Sequence, residues 1–366
     1  MTTPTPLSAP GTDLRRWRTA LVYGLGVSGR AAVRLLARRG VRTEGVDRDE
    51  PAHLRRDLPE LAAFHREELF TSVPPEVDGL VLSPGVPPDR PLVEDARRRR
   101  VPVVAEVEVG WRHLQESLPG TVVAVTGSNG KSTTTALTGA LLEAAGREVR
   151  VCGNIGTAFS EAVVEEEDRR RERGRGERAD GKGGRRTVAE CVFVVELSSF
   201  QVEGLHTFHP RAAAYLNLAP DHLDRYRSVD EYAAAKGRLP ALLGPEDTAV
   251  LNLDDARTAA VSTKARKRFF TRLLRPGTGL DDGCWLDGER VLELYPSGSE
   301  SLLFERSDLK LEGEHNLENA MAAALLARAL EVTPEEIRRG LSSFAGLPHR
   351  MEKVAELHLR SDGAGD

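Results

Sequence analysis

Thr126-Gly127-Ser128-Asn129-Gly130-Lys131-Ser132 lies between the β-branched run Thr121–Val125 and a helix-like segment, Thr133–Ala145. Glycines let a backbone turn tightly enough for several N–H groups to converge on one anion. The N-terminus of the following helix adds partial positive charge. Lys131 supplies a full charge for the β- and γ-phosphates of a nucleotide, and the Ser132 hydroxyl can ligate Mg²⁺. A bare glycine turn with an exposed lysine is the alternative, but strand, loop and helix in this order favour phosphate binding. A second glycine cluster, Gly24-Leu25-Gly26-Val27-Ser28-Gly29, follows the apolar run Ala20–Tyr23, with Asp47 at the end of the next strand. Read naively this is a dinucleotide fingerprint for NAD. The same backbone can cradle the diphosphate of a UDP-sugar.

The elements that must hold these loops are strands alternating with helices. Ala20–Tyr23, Arg30–Arg39 and Thr43–Val46 form a βαβ unit; Gly79–Leu82, Pro91–Arg100 and Val101–Val104 continue it. After a boundary near Ala105, Thr121–Val125, Val192–Val195, Ala212–Leu216 and Ala249–Leu253 read as further buried strands. Asn316–Leu330 is an Ala- and Leu-rich helix, and Thr333-Pro334 starts another. The fold class is α/β: a Rossmann-like parallel-sheet domain over residues 1–105, then a P-loop-type α/β central ATPase domain over 106–347. Ligands gather at the carboxyl ends of strands in such sheets. Glu196, Asn217, Asn252 and Asp254 cluster there. Residues 165–187 are charged, Gly-rich and lack apolar periodicity, which predicts a solvated, disordered insertion.

Composition narrows the function. The chain has 366 residues, 40% hydrophobic and 29% charged, a globular balance with room for two or three domains. A net charge of −5 gives no basic field for nucleic acid. No stretch approaches the ~20 apolar residues of a membrane span, and the N-terminus has no signal-peptide pattern. Cys152, Cys191 and Cys284 form neither a metal pair nor a disulfide framework, which suits a reducing cytosol. Only seven of the 51 basic residues are lysines, the first being Lys131. Positions that keep lysine in an arginine-rich chain are candidates for needing an amine that can lose its proton.

The first glycine of the common G-x-x-x-x-G-K-S loop would fall at Val125; here it is Gly127. This shorter T-G-x-N-G-K-S form resembles the Mur ligase and folylpolyglutamate synthetase superfamily and argues against GTPases. The resemblance extends over nearly the whole chain, in family order. Gly153-Asn154-Ile155-Gly156 resembles G-N-I-G. Glu196-Leu197-Ser198-Ser199-Phe200-Gln201 resembles the segment typical of the D-glutamate-adding member. Asn217 to Asp224 resembles N-x-x-x-D-H-x-D, and Tyr232–Lys236 the helix whose lysine is carbamylated. Gly313 to Asn319 and Leu347-Pro348-His349-Arg350 resemble two further motifs.

The resemblance implies ATP-dependent ligation of D-glutamate to UDP-N-acetylmuramoyl-L-alanine through an acyl phosphate, in peptidoglycan precursor synthesis, by a cytoplasmic monomer. Another Mur ligase, a folylpolyglutamate synthetase-like ligase and a non-catalytic nucleotide-binding fragment are the alternatives. ATP would contact Gly127, Ser128, Asn129, Gly130, Lys131, Ser132, Thr133, Asn319 and Arg350. The UDP-substrate would contact Gly26, Val27, Ser28, Asp47, Arg48, Ser83, Gly85, Asn154, Ser198 and Gln201. Mg²⁺ would be held by Ser132, Glu196, His222 and carbamylated Lys236, with Lys131, His222 and Lys236 as catalytic residues. Taken alone, Glu196 could cap a helix, His222 could be structural and Lys236 could be a surface lysine. Family members carry a third domain after L-P-H-R; residues 348–366 read as a remnant of it, which predicts impaired ligation.

Overall fold

The computed structural model describes residues 13–48, 53–179, 190–221 and 225–346. The first sheet is built from β1 (Thr19–Tyr23), α1 (Val27–Arg38), β2 (Arg42–Asp47), α2 (Leu54–Asp57), β3 (Ala63–Arg66), β4 (Gly79–Leu82), α3 (Pro91–Arg98) and β5 (Val103–Ala105). Its strands are all parallel, in the order β3-β2-β1-β4-β5. All five residues of β1 are buried, because helices cover both faces of such a sheet. The strand order reverses beside β1, and the crevice at that point lies where Gly24 begins the glycine turn.

A linking helix, α4 (Glu106–Ser117), leads into β6 (Gly120–Thr126), α5 (Lys131–Ala144), β7 (Glu148–Gly153), α6 (Phe159–Ala179), β8 (Cys191–Glu196) and α7 (Ser199–Glu203). Then follow β9 (Ala212–Tyr215), α8 (Val229–Ala241), β10 (Thr248–Asn252), α9 (Ala256–Ala259) and β11 (Arg266–Thr271). The chain continues through β12 (Gly283–Asp287), β13 (Arg290–Leu294), β14 (Glu300–Glu305), α10 (Glu314–Ala329) and α11 (Pro334–Ser343). The nine strands run in the order β14-β13-β12-β11-β10-β9-β6-β8-β7, parallel except for the antiparallel meander β12-β13-β14. One face packs on α5, α10 and α11 through residues such as Leu137, Leu141, Met321 and Ile337. The other packs on α4, α6, α7 and α8 through Trp111, Phe159, Val202 and Leu239. Helix α10 is buried nearly all round, and its alanines allow that close approach. Thr333 caps α11 through a reciprocal box with Glu336. No helix among the described residues is long and apolar enough to cross a membrane.

Residues 165–179, expected to lie in a disordered insertion, are instead the second part of α6. The apolar period is missing because charges hold this helix. Glu166 is fully buried and accepts hydrogen bonds from Arg150 (2.6 Å), Arg169 (2.8 Å) and Arg170 (2.8 Å). Two of these are helical i,i+3 and i,i+4 pairs. From α1, Arg34 reaches Glu161 (2.9 Å) and Arg38 reaches Glu167 (3.2 Å) and Asp168 (2.9 Å). The first domain is thus tied to the second by ion pairs. Residues 180–187 of the insertion lie outside the described residues. Glu166→Ala would leave three guanidinium groups without their buried anion, and should cost about 3 kcal/mol of stability. Urea unfolding checks this; a change near zero would show that the ion cluster does not hold the helix.

Candidate functional site

The glycine turn after β1 opens onto a cavity of about 530 Å³ between the two sheets. Gly24 has φ +89°, and a Cβ there would meet Ser83 and Val86 side-chain carbons at 2.8 Å, so only glycine fits. Ser83 Oγ donates to the Gly24 carbonyl (2.7 Å). Asp47 Oδ2 accepts from the Leu25 N–H (2.7 Å) and Oδ1 from the Arg48 N–H (2.7 Å), so this carboxylate shapes the turn. Gly26, Val27, Ser28, Asp47, Arg48, Ser83 and Gly85 line the cavity from the first sheet. Gly153, Asn154 and Gly156 line it from the loop after β7. The first-sheet residues expected to contact the UDP-substrate therefore line one cavity, together with Asn154.

Tyr23, Glu67 and Arg90, which no sequence motif marks, also line the cavity. Glu67 lies between Arg90 (3.1 Å) and Arg48 (3.7 Å). Burial, with Glu67 beside it, pushes the Tyr23 phenol well above its usual range. Glu67 directly follows β3, so the strand-end rule would have found it had so short a strand been recognised.

On the second sheet the phosphate loop joins β6 to α5. Gly130 has φ +80°, and a Cβ there would fall 2.2 Å from Asn319 Oδ1. Asn319, from α10, also accepts from Thr134 Oγ1 (3.2 Å), so it packs against the loop. The strand-end loop after β9 fixes the rim. The Ser128 and Asn129 N–H groups donate to the Asn217 carbonyl (3.0 Å) and side chain (2.8 Å). The Lys131 ammonium donates to the Gly127 (3.0 Å) and Ser128 (2.8 Å) carbonyls. Ser132 is buried at the start of α5, beside Thr133.

Glu196 ends β8 and is buried. Its Oε1 accepts from Asn154 Nδ2 (3.0 Å), while Oε2 is buried with no hydrogen-bond partner among the described residues. A lone buried carboxylate oxygen is costly unless a cation completes it. Its hard oxygen suits Mg²⁺, and the Ser132 hydroxyl is of the same donor type. Lys236, from α8, is buried and donates to the same Gly127 carbonyl (2.7 Å) as Lys131. Its Nζ lies 4.8 Å from the centre of the Tyr232 ring. Burial, with the Lys131 charge nearby, lowers its pKa from 10.5 to about 7. Among the described residues there is no group of three or more His, Cys, Asp and Glu that could hold a metal.

Ser198 and Gln201 are not at the cavity. They bond reciprocally as the capping box of α7: Ser198 Oγ accepts from the Gln201 N–H (3.3 Å) and Gln201 Oε1 from the Ser198 N–H (3.0 Å). His222, Arg350 and the segment 348–366 lie outside the described residues.

A phosphate loop beside a buried carboxylate, with a glycine-lined cavity next to it, defines a two-domain nucleotide-binding α/β protein. The chain belongs to the Mur ligase family. The Mur ligase middle domain matches residues 125–327, and the Mur ligase MurD-like, N-terminal domain matches residues 18–105. A UDP-N-acetylmuramoylalanine–D-glutamate ligase of Anaeromyxobacter dehalogenans is 43% identical over 361 residues, 96% of this chain and 71% of the relative. An enzyme of the same name from Alkaliphilus metalliredigens is 34% identical, over 93% of this chain and 70% of the relative. In fold, the chain is similar to a UDP-N-acetylmuramate:L-alanyl-gamma-D-glutamyl-meso-diaminopimelate ligase from Neisseria meningitides. The TM-score is 0.55 at 16% identity, covering 90% of this chain and 99% of that one.

Proposed function

We propose that the protein joins D-glutamate to UDP-N-acetylmuramoyl-L-alanine at the expense of ATP, as a cytoplasmic monomer making a peptidoglycan precursor. The observation that carries this reading is the Asn154 side chain. It faces the glycine-lined cavity on one side and bonds the Glu196 carboxylate, beside the phosphate loop, on the other. A UDP-sugar diphosphate in the cavity would meet the N-terminus of α1, whose N–H groups at Val27 and Ser28 are oriented for an anion. The peptide end of that substrate would then point past Asn154 toward the phosphate loop.

Lys131 and the N–H groups of the first turn of α5 hold the ATP phosphates, and the substrate carboxylate oxygen attacks the γ-phosphorus. The bond to the β–γ bridging oxygen breaks, ADP leaves, and an acyl phosphate forms. The D-glutamate amine then attacks the acyl carbon, inorganic phosphate departs with the former carboxylate oxygen, and the amine loses a proton. Glu196, Ser132 and carbamylated Lys236 would hold Mg²⁺, which neutralises the crowded phosphate oxygens. The test is product formation with ATP, UDP-N-acetylmuramoyl-L-alanine and each amino acid in turn. Turnover with L-alanine on the unsubstituted UDP-sugar, or with none, would overturn the assignment.

The cavity also bears on NAD. A dinucleotide site needs its strand-end acid free for the ribose diol. Here each Asp47 oxygen already accepts one backbone N–H, from Leu25 and from Arg48, which leaves fewer lone pairs for a ribose, and residues 18–105 match a Mur ligase N-terminal domain. Calorimetry should therefore show UDP-N-acetylmuramoyl-L-alanine binding at least tenfold tighter than NAD. Tighter NAD binding would reassign the first domain.

A further inference from the structure

The contact between Asn154 and Glu196 is built in three ways. Gly153 has φ +105°, and a Cβ there would fall 2.3 Å from the Glu196 carbonyl oxygen, so glycine lets the two strand ends touch. The Asn154 N–H donates to that same carbonyl (2.9 Å). The Asn154 side chain then donates from Nδ2 to Glu196 Oε1 (3.0 Å). A carboxylate only accepts, which fixes which end of the amide faces it. Backbone and side chain of one residue therefore clamp both ends of another.

The consequence lies in the other carboxylate oxygen. With Oε1 held by Asn154, the Glu196 side chain cannot rotate freely, and Oε2 is left buried without a partner among the described residues. The second amide hydrogen and the Oδ1 of Asn154 remain for the cavity that the residue lines. We propose that Asn154 is a positioning residue for the divalent cation, orienting Glu196 Oε2, and that through this one amide the UDP-substrate and Mg²⁺ strengthen each other's binding. This rests on the reading of Glu196 as a Mg²⁺ ligand. Carboxylate ligands are held by such outer hydrogen bonds, and losing one weakens metal binding roughly ten- to hundredfold. Linkage makes the effect reciprocal: whatever factor the substrate adds to Mg²⁺ affinity, Mg²⁺ adds to substrate affinity.

The experiment is calorimetric and needs no turnover. Mg²⁺ is titrated into the full chain holding a non-hydrolysable ATP analogue, first without and then with UDP-N-acetylmuramoyl-L-alanine. Asn154→Ala, and Asn154→Leu of similar volume, should raise the Mg²⁺ half-saturation roughly ten- to hundredfold even without the UDP-substrate. Ser28→Ala, which lines the same cavity but does not touch Glu196, should weaken the UDP-substrate and leave Mg²⁺ without it unchanged. In the unaltered protein, the UDP-substrate should lower the Mg²⁺ half-saturation severalfold. If both Asn154 variants bind Mg²⁺ normally without the UDP-substrate, Asn154 serves the substrate alone and the proposal fails. Absence of coupling in the unaltered protein overturns it without any variant. If Glu196→Gln leaves Mg²⁺ affinity unchanged, the metal assignment itself is wrong, a distinct result from the failure of Asn154.

Discussion

Lys131→Ala should lower kcat roughly a thousandfold while leaving the fold intact, the loss typical when a charge that stabilises a transition state is removed. The reason is geometric. The loop is held by contacts that do not need the lysine: Asn217 bonds Ser128 and Asn129, and Asn319 fills the space beside Gly130. Lys131 itself is folded back on the Gly127 and Ser128 carbonyls, which it would exchange for phosphate oxygens on binding ATP. Its removal deletes one full charge and little packing. Phosphate release with saturating UDP-N-acetylmuramoyl-L-alanine and D-glutamate measures the effect, with thermal unfolding as the control. A folded variant that turned over normally would show that this loop does not hold the reacting phosphates.

The parts of this site that were legible in the sequence are those that depend on backbone shape. Gly24 and Gly130 stand where a side chain would collide, and Glu196 and Asn217 stand at strand ends, so local patterns marked them. The β-branched run before Gly127 made β6 equally plain. What was not legible depends on partners distant in the chain. The second part of helix α6 has no apolar stripe because Arg38 and Arg150 from other elements complete its charged face. The β12-β13-β14 meander has no clear alternating pattern in the sequence. Its strands are short and interspersed with charge, and the buried Glu293 of β13 is paired by Arg268 from β11 and Arg328 from α10. Glu67 and Arg90 form a cavity wall only when β3 and the start of α3 come together. Ser198 and Gln201 carry two readings. Their spacing fits a capping box as well as a substrate contact, and the structure uses them as the cap.

Lys236→Ala should be essentially inactive and partly restored by acetate or formate, whereas Lys236→Arg should be inactive and resist both. The helix pattern alone reads Lys236 as a surface residue, yet α8 turns it inward beneath the phosphate loop. There burial and the Lys131 charge bring its pKa to about 7. At neutral pH roughly half of such amines are unprotonated, against about one in three thousand for an ordinary lysine. The free amine lone pair can then attack CO₂, and the nitrogen loses a proton as the carbamate forms. The product keeps one N–H for the Gly127 carbonyl and gains an anionic carboxylate where an ammonium would repel Mg²⁺. A short carboxylate fits the space left by alanine; arginine fills it with a cation that never deprotonates. The sign with pH follows. At fixed CO₂ pressure, activity should fall as pH drops below about 7, because protons then hold the amine. Stability should also depend on this group. Between pH 7 and 10.5 the unfolded lysine carries a proton that the folded one lacks, so stability rises with pH across that window. In Lys236→Met that part of the rise should vanish. ¹³C-labelled CO₂ should give a carbamate resonance in the unaltered protein and none in Lys236→Ala. Equal rates for Lys236→Arg and the unaltered protein would rule the carbamate out.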